Sequence, residues 1–407
     1  MELMEGGVTL ARGFSASAAE ANIKYSGRND MALVYSEVPA VVAGVFTRNK
    51  VKAAPVKWDK HIVDTMEHAR AVILNSGIAN ACTGREGDIV NEAMAKGVAD
   101  ALGIEKEEVL TASTGVIGMN MDVEKLKKGA ALLVSSLDKS KEAGTMAAKA
   151  IMTTDTVCKE FAVEFYIQGK KVIIGGMSKG SGMIHPDMAT MLCVITTDLN
   201  IKKELLQELV KEDVKDSFNM ISVDRDTSTN DTMVVLANGL AGNPEITEKD
   251  SDYETVKAAL SMVTKSLAKK MAGDGEGATR LLETKVINAT SEKAAKAFAK
   301  SVISSPLVKT ALYGRDANWG RVFCSLGYAG EEFEPEEVDF TIESVAGSLM
   351  LAKQGLGTDF DEEEAEKILS EDEVRFIIDM NQGEYSAVAW GCDLTYDYVK
   401  INGDYRS

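Results

Sequence analysis

Short apolar runs rich in β-branched residues recur through the first third of the chain, each about one strand long, at 31–37, 41–47 and 71–77. Between and after them the apolar residues fall at spacings of three and four, which predicts helices over 89–102, 122–137 and 139–152. Phe161, Val163, Phe165 and Ile167 then alternate with more polar neighbours, and Gln168-Gly169-Lys170 turns the chain into a return strand over 171–177. The run 192–198 is short, apolar and β-branched, the mark of a buried strand. Beyond it, Leu205, Leu209 and Phe218 share one helical face, and Tyr253, Val256, Leu260, Val263 and Leu267 share another. Ser291 is placed to cap a further helix, and 374–380 is expected to pair with 385–390 across a turn at 381–384. Leu394, Tyr396, Tyr398, Val399 and Ile401 read as a last strand-like run. This mixed order predicts layered α+β architecture rather than a doubly wound parallel sheet, with a core over 1–284 and a smaller C-terminal α+β domain over 285–407.

Composition narrows the function classes. At 407 residues the chain is long enough for about two or three domains. A net charge of -18 weighs against nucleic acid and anionic membranes as partners, and it obliges any site for a carboxylate to supply its own cation. Five scattered cysteines with no CxxC spacing read as reduced cytosolic thiols. No leader and no apolar run near the ~18 residues of a membrane span is visible, so the expected location is cytoplasmic. Three histidines and no His/Cys cluster argue against a metal site, and no cofactor is expected.

Candidate chemistry centres on 179–192, KGSGMIHPDMATML. Thr190 follows a small residue, Ala189, and precedes the buried run. A threonine hydroxyl needs an adjacent base, and cleavage of the Ala189–Thr190 bond would supply one as the residue's own α-amine. The plainer reading is a strand start after a glycine loop. Other polar loops lie at 113–115, 153–156, 224–232 and 273–280. The glycine-rich 176–182 lacks the order of a phosphate-binding loop. The acidic 224–232 begins like a calcium loop, but Thr229 and Val235 stand where glycine and a bidentate glutamate are needed, so a plain connecting loop is expected. Lys179 and Glu276 are each ordinary alone; together a cation and an anion on separate loops could hold the two charged ends of an amino acid.

STGVIG (113–118), TTDT (153–156), the 179–192 stretch, DGEGATR (274–280), GRDANWGR (314–321) and the tail from Cys392, with GFSASAAEANIKYSGRNDMALV and NSGIANACTG near the N-terminus, together resemble the glutamate N-acetyltransferase (ornithine acetyltransferase) family over essentially the whole chain. The resemblance implies a layered αββα fold of the N-terminal-nucleophile type. It implies a precursor that cuts itself before Thr190 into associated chains, 1–189 and 190–407, with two such pairs assembling. It also implies acetyl transfer from N2-acetylornithine to glutamate, with Thr190 as nucleophile and Thr114 and Gly115 as oxyanion hole. Substrate contacts are implied at Thr153, Lys179, Thr190, Glu276, Asn402 and Ser407. The chain departs from the family pattern at Asp187, Ile78, Val157-Cys158 and the terminal serine. A self-cleaving aminopeptidase or amidase, and a non-catalytic acidic binding protein, are the alternative readings.

Overall fold

The computed structural model describes residues 1–185 and 191–404. Among these, one sheet runs in the order Glu2–Met4, Lys159–Ile167, Lys170–Lys179, Leu192–Thr197, Thr232–Ala237, Met31–Phe46, His68–Asn75, Val109–Ser113, with Phe14–Ala19 also paired to Met31–Phe46. A second sheet runs Leu356–Gly357, Gly347–Lys353, Asp339–Ser344, Glu373–Asp379, Leu281–Ala289, Tyr385–Cys392, Ile221–Ser222. Most ladders are antiparallel, as a layered α+β chain requires and a doubly wound sheet forbids.

The helix Ser251–Gly273 packs on Lys159–Ile167 and Lys170–Lys179 of the first sheet and on Tyr385–Cys392 of the second. Tyr253, Val256, Leu260, Val263 and Leu267, the face expected from spacing, are all buried there. Asp250 accepts a hydrogen bond from the Tyr253 N–H and caps this helix. One apolar cluster runs from the first sheet through this helix into the second, so the two sheets share a core.

Four local expectations need correction. The runs 31–37 and 41–47 are one strand, Met31–Phe46; Pro39 lacks an N–H, and the register against His68–Asn75 shifts between Tyr35 and Ala40 rather than ending. The stretches 374–380 and 385–390 do not pair with each other. Leu281–Ala289 lies between them, parallel to one and antiparallel to the other, and the ladder partner comes from far back in the sequence. Phe218 lies outside the helix Lys203–Asp213, whose buried face is Leu206, Leu209, Val210 and Asp213. The tail is a helix, Tyr396–Asp404, rather than a strand: Leu394, Tyr398 and Ile401 follow helical spacing and are half-buried, while Tyr396 and Val399 are exposed. Thr395 Oγ1 accepts from the Tyr398 N–H at its start.

Candidate active site

The strand Val109–Ser113 ends in a turn fixed by backbone bonds: the Thr114 N–H donates to Asn75 O at 3.0 Å and the Val116 N–H to Gly77 O at 3.1 Å. Ser113 Oγ donates to Asn75 Oδ1 at 2.6 Å. Gly115 has φ +130°, and a Cβ there would fall 2.2 Å from the Gly77 carbonyl carbon, so the two chain segments meet only because residue 115 is glycine. From the other side, Asn230 Nδ2 donates to Ser113 O at 2.8 Å and Ala79 O at 2.6 Å.

Lys179 ends the strand Lys170–Lys179 and is 7% exposed. Its ammonium donates to Thr153 Oγ1 at 2.8 Å, reaches Thr114 Oγ1 at 3.5 Å, and lies 3.6 Å from Asp155 Oδ2. Asp155 is the hub beneath it. Burial alone would raise its pKa, but the cations of Lys179 and Lys159 and the Gly180 N–H hold the carboxyl well below the usual range. Lys159 is 1% exposed and sits 2.7 Å from Asp155 and 2.5 Å from Asp274. The Gly180 N–H donates to Asp155 Oδ1 at 2.7 Å, which ties the backbone after Lys179 to the same carboxylate. The TTDT stretch thus supplies one hydroxyl to the site and, through Asp155, holds the site's cation in place.

The lining of the site also includes an acid, Glu276. The Glu276 N–H donates to Ser181 O at 2.8 Å, and its Oε2 accepts from Asn402 Nδ2 at 2.7 Å. A Cβ on Gly182 would lie 2.4 Å from the Glu276 carboxyl, so that glycine makes the room the carboxylate occupies. Asn402 is carried by the C-terminal helix, where Thr395 Oγ1 also donates to Gly277 O at 2.7 Å.

Thr114, Gly115, Thr153, Lys179, Glu276 and Asn402 all line one cavity of about 160 Å³. Ala189, Thr190 and Ser407 lie outside the described residues. Met191, the residue after Thr190, lines the same cavity. The wall is completed by Ser228, Thr229, Asn230 and Asp231, which corrects the expectation of a plain connecting loop there. Thr232–Ala237 and Leu192–Thr197 are parallel neighbours in register, Thr232 opposite Leu192, which brings the loop before Thr232 to the same end of the sheet as Met191. No described lining residue is a histidine, and among the described residues no group of His, Cys, Asp or Glu could hold a metal ion. All five cysteines are free.

A family model described as the ArgJ family matches residues 15–407. "Arginine biosynthesis bifunctional protein ArgJ 1" of Clostridium acetobutylicum is 52% identical over 395 residues, 97% of this chain and 96% of its own length. "Arginine biosynthesis bifunctional protein ArgJ" of Caldanaerobacter subterraneus subsp. tengcongensis is 48% identical over the full length of both chains. The chain belongs to the ArgJ family. Among solved structures it is similar to the ArgJ protein of Bacillus halodurans, 44% identical over 52% of this chain and 97% of that one, with a TM-score of 0.49. It is also similar to an ornithine acetyltransferase of Mycobacterium tuberculosis, solved in complex with ornithine, 44% identical over 46% of this chain and 99% of that one, with a TM-score of 0.44.

The cavity carries both signs of charge. A lysine, two threonine hydroxyls, the Glu276 carboxylate and the Asn402 amide all line it. That layout suits a small zwitterion with charges at both ends, held in a chain whose net charge of -18 would otherwise repel its carboxylate.

Proposed function

We propose that the chain transfers an acetyl group from N2-acetylornithine to glutamate through an acetyl ester on Thr190, giving ornithine and N-acetylglutamate in arginine biosynthesis. The observation that carries this reading is the single cavity lined by Thr114, Gly115, Thr153, Lys179, Glu276, Asn402 and Met191, drawn from distant parts of the sequence. Membership of a family whose curated members are named for arginine biosynthesis supports it.

In the precursor, Thr190 Oγ attacks the Ala189 carbonyl, the acyl group shifts from nitrogen to oxygen, and water releases the ester. The α-amine so freed is the base for the later steps. Its reference pKa of about 7.7 to 8.0 leaves a usable neutral fraction near neutral pH. The cut chains stay together because Lys170–Lys179 and Leu192–Thr197, on opposite sides of the scissile bond, are hydrogen-bonded antiparallel neighbours in one sheet.

Thr190 then takes the acetyl group from acetylornithine and passes it to glutamate, a ping-pong sequence. The Thr114 hydroxyl and Gly115 N–H serve as oxyanion donors, each worth about 3 to 4 kcal/mol. Lys179 receives the α-carboxylate and Glu276, steadied by Asn402, the δ-ammonium of ornithine. The relatives are named as bifunctional, which makes acetyl-CoA the natural second donor to assay. The test is incubation with acetyl-labelled N2-acetylornithine, with and without glutamate. Label in N-acetylglutamate supports the reading. Label released only as free acetate, whether or not glutamate is present, makes the chain an amidase.

A further inference from the structure

Two flanks confine the Glu276 carboxyl in the cavity. On one is Gly182, where a Cβ would fall 2.4 Å from it; on the other is Asn402, whose Nδ2 donates to Oε2 at 2.7 Å. The flanks belong to different elements, the loop after the strand Lys170–Lys179 and the C-terminal helix Tyr396–Asp404. Both elements are bound to Asp224, which does not itself line the cavity. Its Oδ2 accepts from the Met183 N–H at 2.6 Å and its Oδ1 from the Ile184 N–H at 2.9 Å, so two successive backbone donors converge on one carboxylate. The same Oδ2 accepts from the Tyr398 hydroxyl at 3.3 Å. The Asp226 N–H, donating to Oδ1 at 3.2 Å, fixes the carboxylate in turn.

These bonds act where local structure is otherwise unfavourable or thinly supported. Met183 sits at φ +54°, a conformation that L-residues seldom adopt, and the bond from its N–H to Asp224 holds it there. The helix Tyr396–Asp404 has no fully buried residue, so polar contacts rather than apolar burial seat it. They include Thr395 to Gly277 at 2.7 Å, Tyr398 to Asp224 and Asn402 to Glu276. Asn402 Nδ2 also donates to Tyr398 O at 3.0 Å, one turn back, so the two side chains are carried together. Burial, with the adjacent Asp224 carboxylate, pushes the Tyr398 phenol well above its ordinary range, so it stays a proton donor.

We propose that Asp224 determines which donor the site accepts: by tying the 182–184 loop to the C-terminal helix it fixes how far the Glu276 end of the cavity lies open, and so selects the side-chain length of the N2-acetyl diamino acid. The proposal rests on Glu276 receiving the side-chain ammonium, as read in the preceding subsection, and adds the residue that sets its reach. Asp224 touches no substrate; it is a positioning residue that acts through Gly182 and Asn402. With the tie intact, a donor one methylene longer than ornithine drives its ammonium into Glu276 and its flanks, and one a methylene shorter falls short of them. A single methylene is worth about 10- to 200-fold in selection. Removing the tie lets the helix move outward, away from Gly277, against which it already packs so closely that a Cβ there would fall 2.6 Å from the Tyr398 nitrogen. The longer donor gains from that movement, and the shorter one does not.

The test uses the full-length chain carrying Tyr398→Phe, which removes one hydroxyl, or Asp224→Asn, which puts an amide donor where one of two acceptor oxygens stood. With glutamate as acceptor, kcat/KM is measured for N2-acetylornithine, for N2-acetyllysine and for N2-acetyldiaminobutyrate, the homologue one methylene shorter. Wild type should prefer acetylornithine over both by at least about tenfold. In each variant the ratio of acetyllysine to acetylornithine should rise about tenfold, chiefly through KM, while the ratio for the shorter donor stays as it was. Variants in which all three donors lose the same factor show a merely structural role and overturn the proposal, as do variants with wild-type ratios or a wild type that does not discriminate. Each of those results leaves acetyl transfer by the chain standing. If Asp224→Asn does not fold, Tyr398→Phe decides alone. Wild type that transfers acetyl from none of the three donors sinks the parent reading, and the proposal falls with it.

Discussion

Replacing Gly115 by alanine tests the proposed oxyanion role of its turn directly. The residue sits at φ +130°, a region that L-residues avoid, which costs about 1 to 2 kcal/mol. The added Cβ would meet the Gly77 carbonyl carbon at 2.2 Å and its oxygen at 2.4 Å, so backbone has to yield, not a flexible side chain. Restoring ordinary contact takes a shift of about 1 Å, and a misplacement of that size costs about a hundredfold in rate when it moves a positioned group. Steady-state kinetics should show kcat lowered about a hundredfold, equivalent to about 2.7 kcal/mol of transition-state stabilisation. Urea unfolding should show a stability loss of about 2 to 4 kcal/mol from strain and overlap. Gly118→Ala is the control: φ there is +84° but no atom lies within 4 Å of the new Cβ, so about 1 kcal/mol of strain should be lost with little change in kcat. Gly115→Ala with wild-type kcat would refute the claim that this turn is an oxyanion donor held by glycine packing.

Gly182→Ala should push the Glu276 carboxyl away from Asn402 and raise KM for acetylornithine several-fold with a smaller effect on kcat; Asn402→Ala, read in the same assay, should do likewise. Lys159→Met leaves Asp155 and Asp274 buried without their shared cation and should cost about 3 to 5 kcal/mol in urea unfolding. Because the Asp155 pKa is depressed in the folded state, its contribution is full above the unfolded carboxylate pKa near 4 and is lost as pH falls below it, so acid unfolding should begin at higher pH in that variant. Asp213 shows the opposite sign: burial, only partly offset by the Thr264 and Ser217 hydroxyls, raises its pKa to about 6, so the wild type should lose stability as pH rises from about 4 to 6. Asp213→Asn should flatten that part of the curve in unfolding measured from pH 4 to 8.

Elements defined by local period were legible in the sequence. The helix Ser251–Gly273 buries the face its spacing marks, and the ladder between Lys159–Ile167 and Lys170–Lys179 forms where alternation and Gln168-Gly169 place it. What failed was long-range pairing. The insertion of Leu281–Ala289 between two strands that look like a hairpin depends on which surfaces meet in the folded chain, and no local pattern carries that. The tail was misread because its aromatic and β-branched residues favour strands, whereas the spacing of Leu394, Tyr398 and Ile401 is helical. At the site, charge logic picked out Lys179 and Glu276, but Asp231 sits in a polar stretch whose composition alone reads as an ordinary loop. Its burial follows from the parallel register of Thr232–Ala237 beside Leu192–Thr197, a relation visible only in the sheet.

The central claim, that Thr190 becomes an N-terminal nucleophile which carries the acetyl group, is tested most directly by intact mass spectrometry of the purified protein before and after incubation with N2-acetylornithine alone. The account predicts two fragments, residues 1–189 and 190–407, with one acetyl mass added to the second and removed on addition of glutamate; Thr190→Ala should give one uncut, unacetylated chain. Full transferase activity from an intact wild-type chain, or turnover with no acetylated fragment under any condition, would contradict it.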